Sequence, residues 1–496
     1  MSRYADWKAP KTDMEHLIWP VPRQIMQDTR ANQLRLSKAD DVLIQNAPLP
    51  ELRRATREFL NHHDDRPIVA TGHQIELYHP GVWVKNALLD ALQESHGVRS
   101  LHIAVDTDTP KHLQLRWPGG AIDVSDDLLL KTGEWSGQVA QPTPAHLQKM
   151  IRRFHEAAQG WSFEPSIEPF FEAMRQHAMH PLELPAALLQ ASQALDHDLG
   201  LHYEAMILSP MLLSPGYLAL AHQIGADIER FSRVYNESLA AYRAAEGISS
   251  PTRPMPDLRI MEDAIELPFW FDNVVTGDRS RATVARDDAG KWNLLTDDAA
   301  FTFDPRKPAN EAVADLQRFC AGKGIRLAPR ALTLTIFFRL LLVDQFVHGI
   351  GGGRYDQVTD RLIEHYFGLQ APAFSVTTGT MYFPDARRST EACVSCMVTE
   401  GHRLRHSLIG KAPHLQAIGS APRKSNARKT AYLAMHRELA VAVEQKPDLP
   451  AWRQRLQETI EREQREKVLF DRELFYAVQT RERLTAMIDR YRIAVA

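Results

Sequence analysis

Four clusters in this 496-residue chain combine side chains of the right type and spacing for chemistry. The first is Thr71-Gly72-His73-Gln74, with His79-Pro80-Gly81 and Lys85 shortly after it. It closes Pro67-Ile-Val-Ala, a short β-branched run ended by glycine, which has the pattern of a buried strand. Gly72 then falls at the carboxyl end of that strand, where open α/β sheets place their ligands. His73 is the candidate general acid/base by type, because an imidazole titrates near neutrality. His79 and Lys85 add donors, and Gly81 lets backbone approach a ligand closely. The N–H groups opening the next helix favour an anion. The plainer reading is a strand-to-helix turn whose His and Gln satisfy loop backbone.

The second cluster is Asp106-Thr107-Asp108, with Lys111 and His112 behind it. At the strand end the two carboxylates are expected to point to opposite sides and so not to form a proton-sharing dyad. One of them is a candidate to hold an amine, a ribose hydroxyl or Mg²⁺, against the plainer role of a turn aspartate. The third is His348-Gly-Ile-Gly351-Gly352-Gly353-Arg354-Tyr355-Asp356. Its glycines ahead of a helix can cradle an anion through backbone N–H groups, or can simply cap a tight turn. The run fits neither the dinucleotide fingerprint nor a P-loop. The fourth is Cys393-x-x-Cys396 with His402 and His406. These intervals fall outside finger spacing and speak against zinc. Redox activity would need the CxxC to open a helix in a thioredoxin-like unit, which the sequence does not display.

The elements that must carry these clusters read as strand, loop, helix, strand: 67–72, a helix over Val82–Leu92, then Ser100–Val105. That order opens a parallel α/β sheet. Residues 1 to about 65 have helical patterning, and a hairpin turning at Pro118-Gly119-Gly120 is expected over the sheet. From 142 to 200 the pattern is helical and broken by prolines. Glu204-Ala-Met-Ile-Leu reads as a strand and Tyr217–Ala245 as one long helix. Residues 257–305 hold strand-like runs, and Glu266-Leu-Pro-Phe-Trp270 could line a cleft. Ala331–Val347 reads as one buried apolar helix, with Arg339 inside it paired to Asp344 or another acid. Arg330 just ahead of it could reach a phosphate or carboxylate in two-pronged fashion. The tail has the composition of two long helices with a break at Lys446–Pro450.

Composition narrows the class. Hydrophobic residues make up 44% and charged residues 24%, so a real core is expected. A net charge of −3 supplies no basic field for nucleic acid or anionic lipid. The apolar run at 331–347 is interrupted by charge and is shorter than the roughly 20 residues of a membrane span. No secretory pattern opens the chain, and three cysteines are too few for a disulfide framework. A reducing cytoplasm is the expected compartment.

In their order along the chain these pieces resemble the bacillithiol-synthesis cysteine-adding enzymes, which join cysteine to a glucosaminyl-malate acceptor. Thr71-Gly72-His73-Gln74, His79-Pro80-Gly81 and Lys85 look like that family's Thr-Gly-Gln-Gln, Gly-Pro and helix-borne Lys. Asp106-Thr107-Asp108 stands where the family carries Asp-His-Asp. Pro329-Arg330, the apolar helix and Gly351-Gly352 resemble its Arg-Pro, helix and Gly-Gly-Pro segment. The resemblance implies a Rossmann-like, nucleotidyltransferase-type α/β core over 1–420, with inserted segments at about 110–200 and 250–305. It also implies a C-terminal helical hairpin or coiled coil over 421–496 through which two copies dimerise. By this reading the chain is a ligase or transferase acting on small molecules, an amine-type substrate and a small anionic acceptor. His73, Lys85, Asp106 and Asp108 would be catalytic. Thr71, Gly72, Gln74, His79, Gly81, Arg330, Gly351, Gly352 and Gly353 would bind substrate, and a nucleotide such as ATP or ADP is a possible cofactor. Histidine at 73, threonine at 107 and glycine at 353 depart from the family pattern and point to a distinct subfamily. The rival expectations are a nucleotidyltransferase acting on a small acceptor and a non-catalytic dimeric scaffold.

Overall fold

The computed structural model describes residues 7–177, 183–288, 290–296, 299–384, 386, 393–445 and 448–496. The chain forms two compact units: residues up to Met381 together with Arg472–Ala496, and Tyr382–Asp471. In chain order, the strands that matter here are β1 (Glu15–Trp19), β2 (Ile68–Gln74), β3 (Arg99–Val105) and β4 (Glu204–Ile207). They are followed by β5 (Ala264–Asn273), β6 (Arg279–Arg286), β7 (Trp292–Leu295), β8 (Ala300–Thr302), β9 (Ile325–Pro329), β10 (Gln345–His348) and β11 (Ser375–Thr380). The helices that position the site are α1 (Pro22–Ser37), α2 (Leu49–Phe59), α3 (Pro80–His96), α4 (Ala331–Phe337) and α5 (Ile350–Leu362).

The first unit is mixed α/β around a six-stranded sheet of order β1-β11-β10-β2-β3-β4. Every neighbouring pair is parallel except β1 with β11. The chain runs from β2 outward to β3 and β4, then restarts on the other side of β2 with β10 and β11. The strand order therefore reverses between β2 and β10, where Val69 pairs with Gln345 and Thr71 with Val347. Ile68, Val69, Ala70 and Thr71 are all buried, as expected for a parallel strand covered on both faces. The helix α3 is buried on all sides over residues 80–92, so its apolar pattern runs right round it. A second, antiparallel sheet has the order β8-β7-β6-β5-β9. Between β3 and β4 lie a hairpin (Gln114–Trp117, Gly120–Asp123) and the helices Pro144–Ala158, Glu168–His177 and Leu184–Asp198.

Three expectations need correction. The apolar run 331–347 is not one helix: α4 ends at Phe337, a π-turn spans Phe338–Leu342, and the chain re-enters the main sheet as β10. An unbroken apolar run suits a buried helix and a buried strand equally, so periodicity could not separate them. The break is Asp344, whose fully buried carboxylate accepts from Arg53 at 2.7 Å, from Arg57 at 2.9 Å and from the Ile68 amide at 2.8 Å. Arg339 meets the expectation of an acid other than Asp344: it pairs with Asp356 at 2.8 Å and Asp360 at 2.6 Å. The helix expected over 217–245 is two, Pro215–Ala226 and Ile228–Glu246, hinged at Asp227. The apolar pattern hides the hinge because Leu218, Ile224, Ile228 and Phe231 all enter one core. The edge strand β1, within the stretch read as helical, was not expected at all.

The tail also divides differently from the expected hairpin over 421–496. Its last helix, α10 (Arg481–Val495), belongs to the first unit, packs on α3 and buries Leu484, Met487, Ile488 and Tyr491. The second unit contains α6 (Val394–His406), α7 (Lys411–Ser420), α8 (Asn426–Glu444) and α9 (Asp448–Leu469). There α7 packs on α8 and α6 on α9. Residues 446 and 447 of the expected break lie outside the described residues. Among the described residues no helix is long and apolar enough to cross a membrane.

Removing Asp344 would leave two buried guanidinium groups without their acid. Asp344→Ala is expected to cost about 3–5 kcal/mol, read as a lower denaturant midpoint in equilibrium unfolding. A loss below about 1 kcal/mol, the value of a surface pair, would show that the clasp is not what holds β2 to β10.

Candidate functional site

Above the carboxyl ends of β2, β3 and β10, at the point of strand-order reversal, the first unit opens a cavity of about 1280 Å³. Among the described residues its wall carries Lys8, Lys85, Lys111, Arg281, Arg330, Arg354 and Arg472 and, as acids, Asp108, Asp356 and Glu473. Seven cations against three acids make an anion the natural occupant. Of the residues singled out from sequence, Gly72, His73, Gln74, His79, Gly81, Lys85, Asp108, Arg330, Gly351 and Gly352 reach the cavity. Thr71, Asp106 and Gly353 do not.

His73 stands at the end of β2, and its Nδ1 lies 3.1 Å from the Gln74 carbonyl. A carbonyl only accepts, so this bond requires the proton on Nδ1 and leaves Nε2 with its lone pair. Burial, helped by the neighbouring charge of Lys85, holds the ring well below its ordinary pKa and therefore neutral. Nε2 thus keeps its lone pair at neutral pH. Lys85 points from the first turns of α3 back to the strand end and donates to the Gly72 carbonyl at 3.2 Å. Its side chain is 1% exposed, and desolvation brings its pKa down to about 7 against the pull of Glu76. Glu76 lies 3.4 Å from His73, and burial raises its pKa to about 7. Sequence reading passed over Glu76, since nothing in its type or spacing announces its burial among these groups.

The acidic strand end splits as its geometry demands. Asp106 turns into the protein, where Oδ1 accepts from the Ser209 amide at 3.0 Å and burial raises its pKa. It is structural, contrary to the expectation of a catalytic role. Asp108 faces the cavity, accepts from the Gln74 side-chain amide, and takes the Thr109 amide on its other oxygen at 2.9 Å. Thr71 is also structural: its hydroxyl donates to the Val347 carbonyl at 2.8 Å and ties β2 to β10.

The glycine turn caps α5, with Gly349 as N-cap. Gly349, Ile350, Gly351 and Gly352 line the cavity, so the first turn of α5 presents backbone N–H groups there. Two of its glycines have packing reasons. A Cβ at Gly352 would lie 2.8 Å from His348 Nδ1, and one at Gly353 would lie 2.5 Å from Val376. Gly353 packs rather than binds. By contrast, the Gly81 N–H is already taken by His79 Nδ1 at 3.1 Å, so the start of α3 is capped from within. A Cβ at Gly81 would come within 2.5 Å of Arg472 Nη2, so the glycine admits that guanidinium to the cavity wall.

Two pairs escaped the sequence reading. His348 Nε2 bonds to Asp356 Oδ2 at 2.8 Å, and Arg339 holds the same carboxylate oxygen. The signal was a histidine eight residues before an aspartate around a glycine turn. Arg330 donates through Nη1 to buried Glu266 at 2.6 Å, and Arg281 takes the same carboxylate at 2.9 Å. Two arginines on one acid leave net positive charge beside Trp270, whose ring lies under Arg330 at 5.6 Å.

The fourth cluster is elsewhere, in the second unit. Cys393 and Cys396 are exposed at the start of α6, and the His406 side chain lies outside the described residues. Among the described residues no group of three or more His, Cys, Asp or Glu could hold a metal.

The class defined by fold and site is therefore an α/β protein with a cation-rich cleft at a strand-order reversal. No known protein-family model matches the chain, and no curated protein matches it.

The buried Lys85 gives a sign-definite pH effect. The unfolded chain holds this proton up to the ordinary lysine pKa, whereas the folded protein releases it near 7. Raising the pH across that interval therefore favours folding, by at most about 1.4 kcal/mol per pH unit. Below about pH 7 the cost of the buried ammonium is fully present. Relative to Lys85→Met, the unmodified protein should gain stability from pH 7 to pH 9 in urea melts; parallel pH profiles for the two proteins would refute the buried titration.

Proposed function

We propose that this protein is a ligase- or transferase-type enzyme that joins an amine-type or amino-acid substrate to a small anionic acceptor. The observation that carries this reading is the excess of cations around a cleft at the reversal between β2 and β10, with a neutral histidine and a near-neutral lysine at its floor. In open α/β sheets that position is where ligands bind. Taken outward from β2, the parallel strands have the order 3-2-1-4-5, the doubly wound order of Rossmann-like folds. This agrees with the nucleotidyltransferase-type core that the resemblance to the bacillithiol-synthesis enzymes implies.

In this scheme the acceptor's anionic group lies against the first turn of α5, with Lys111, Arg354 and Arg472 around it. Asp108 receives the ammonium of the second substrate. His73 Nε2 is the group placed to accept a proton from the second substrate, and Lys85 beneath it stabilises negative charge at the strand end. The His348–Asp356 pair holds the glycine turn in place. Dimerisation through C-terminal helices and residence in the cytoplasm belong to the same proposal.

A thermal-shift panel of dicarboxylates, sugar phosphates and nucleotides, with and without Mg²⁺, tests the cleft. At least one small anion is expected to stabilise the protein, by about 2.7 kcal/mol at a hundred times its Kd, and less at high salt. Stabilisation confined to nucleotides with Mg²⁺ would favour nucleotidyl transfer over ligation. With the substrate pair in hand, His73→Ala should lower kcat by about 10²–10⁴-fold while the circular dichroism spectrum is unchanged. No stabilisation by any anion, or full turnover by folded His73→Ala, would leave the scaffold reading.

A further inference from the structure

The two exposed cysteines of the second unit stand in an arrangement the first site does not use. Cys393 immediately precedes α6, and its carbonyl accepts the Met397 amide at 2.9 Å, so it occupies the N-cap position. Cys396 lies in the first turn, and its amide donates to Cys393 Sγ at 3.3 Å. The two sulfurs are 2.9 Å apart. Residues three apart across a first helical turn have Cα atoms about 5 Å from one another, within the span a disulfide bridges. The chain thus already holds both thiols at closing distance, and bond formation requires no movement of the helix. The third cysteine, Cys320, sits on the helix Ala309–Lys323 of the first unit, where burial raises its thiol pKa to about 12 and keeps it protonated.

We propose that Cys393 and Cys396 are a redox-active dithiol that reduces a low-molecular-weight disulfide. The thiolate of Cys393 attacks one sulfur of the disulfide RSSR, forming a mixed disulfide and expelling RS⁻. The thiolate of Cys396 then attacks Cys393 Sγ and expels the second RS⁻. The protein loses two hydrogens and two electrons, and one RSSR becomes two RSH. Both thiols are exposed, and Cys393 is the attacking residue on geometry because its sulfur sits at the N-cap and accepts the Cys396 amide of the first turn. The hydrogen bond from Cys396 and the amides of the first turn hold the Cys393 thiol below its ordinary pKa, while Cys396 is held above. Among the described residues the acid placed against this turn is Glu463 of α9, which accepts the Val394 amide at 2.7 Å and opposes that lowering. The helix itself is seated by α9: a Cβ at Gly401 would meet the Trp452 ring at 2.1 Å, and Trp452 Nε1 donates to the Met397 carbonyl at 3.0 Å.

The test uses the full-length protein with glutathione disulfide as probe, followed by thiol alkylation and peptide mass spectrometry. The expected result is loss of two alkylatable thiols, release of two glutathiones per chain, a Cys393–Cys396 cross-link, and Cys320 still reduced. Cys396→Ser should stop at a glutathione adduct on Cys393, and Cys393→Ser should react at least tenfold more slowly. Retention of all thiols, an adduct without the cross-link in the unmodified protein, or faster reaction of Cys393→Ser than of Cys396→Ser would overturn the proposal. The single serine variants alter only exposed atoms, so a failed reaction reports chemistry rather than misfolding, and circular dichroism checks that.

Discussion

The geometry of the first unit depends on one buried carboxylate. Asp344 is enclosed at the point where the chain leaves the π-turn after α4 and enters the centre of the sheet. Arg53 and Arg57 from α2 hold one oxygen each, and the Ile68 amide at the start of β2 shares the second. The same arginines satisfy the carbonyls of Leu340, Leu342 and Val343, which a turn ending against the core would otherwise strand. A buried acid with two guanidinium partners has a high cost if either side is lost. It therefore sets the register of β10 against β2, and that register brings Gly72 and His348 to the same rim.

The site at that rim takes its chemistry from burial rather than from unusual residues. Lysine, histidine and glutamate at the end of β2 would each titrate in the ordinary way in water. Enclosed together, the imidazole stays neutral, and the amine and the carboxyl both move towards neutrality. Groups matched to neutral pH are what proton transfer at a reacting centre needs. An arriving anion would restore charge to Lys85, so ligand binding and protonation at this floor are coupled.

Electrostatic pairing recurs in the second sheet, with a different result. On β5, Glu266 and Asp272 are each buried and each hydrogen-bonded by two arginine side chains: Arg281 and Arg330 on the first, where Arg259 lies a further 3.9 Å away, and Arg279 and Arg326 on the second. Each cluster carries a residual positive charge. The Glu266 group borders the cleft, so a structural ion cluster also contributes to its potential. In the second unit the chemistry is local by comparison, resting on two thiols, a helix start and the Trp452 seat beneath it.

Local pattern along the chain was enough for β2, α3, β3 and the hairpin near Gly119, because each is announced by its own periodicity or turn residues. It also pointed to His73, Lys85, Asp108 and the 349–353 turn, all but Gly353 of which line the cavity, since strand ends and glycine turns are local features. It could not tell the buried helix α4 from the buried strand β10, nor see Asp227 as a hinge, because an apolar run satisfies either element when a core surrounds it. It placed Asp106 and Thr71 in the site, whereas the direction of each side chain was decided by Ser209 and Val347, far away in sequence. Glu76, the His348–Asp356 pair and the two-arginine hold on Glu266 were tertiary outcomes for the same reason: proximity and desolvation arise only once distant segments meet. The sequence by itself determined those elements whose periodicity or turn residues are local, and which residues stand at their ends. Only the tertiary structure decided which of those residues face one cavity and what protonation state burial allows them.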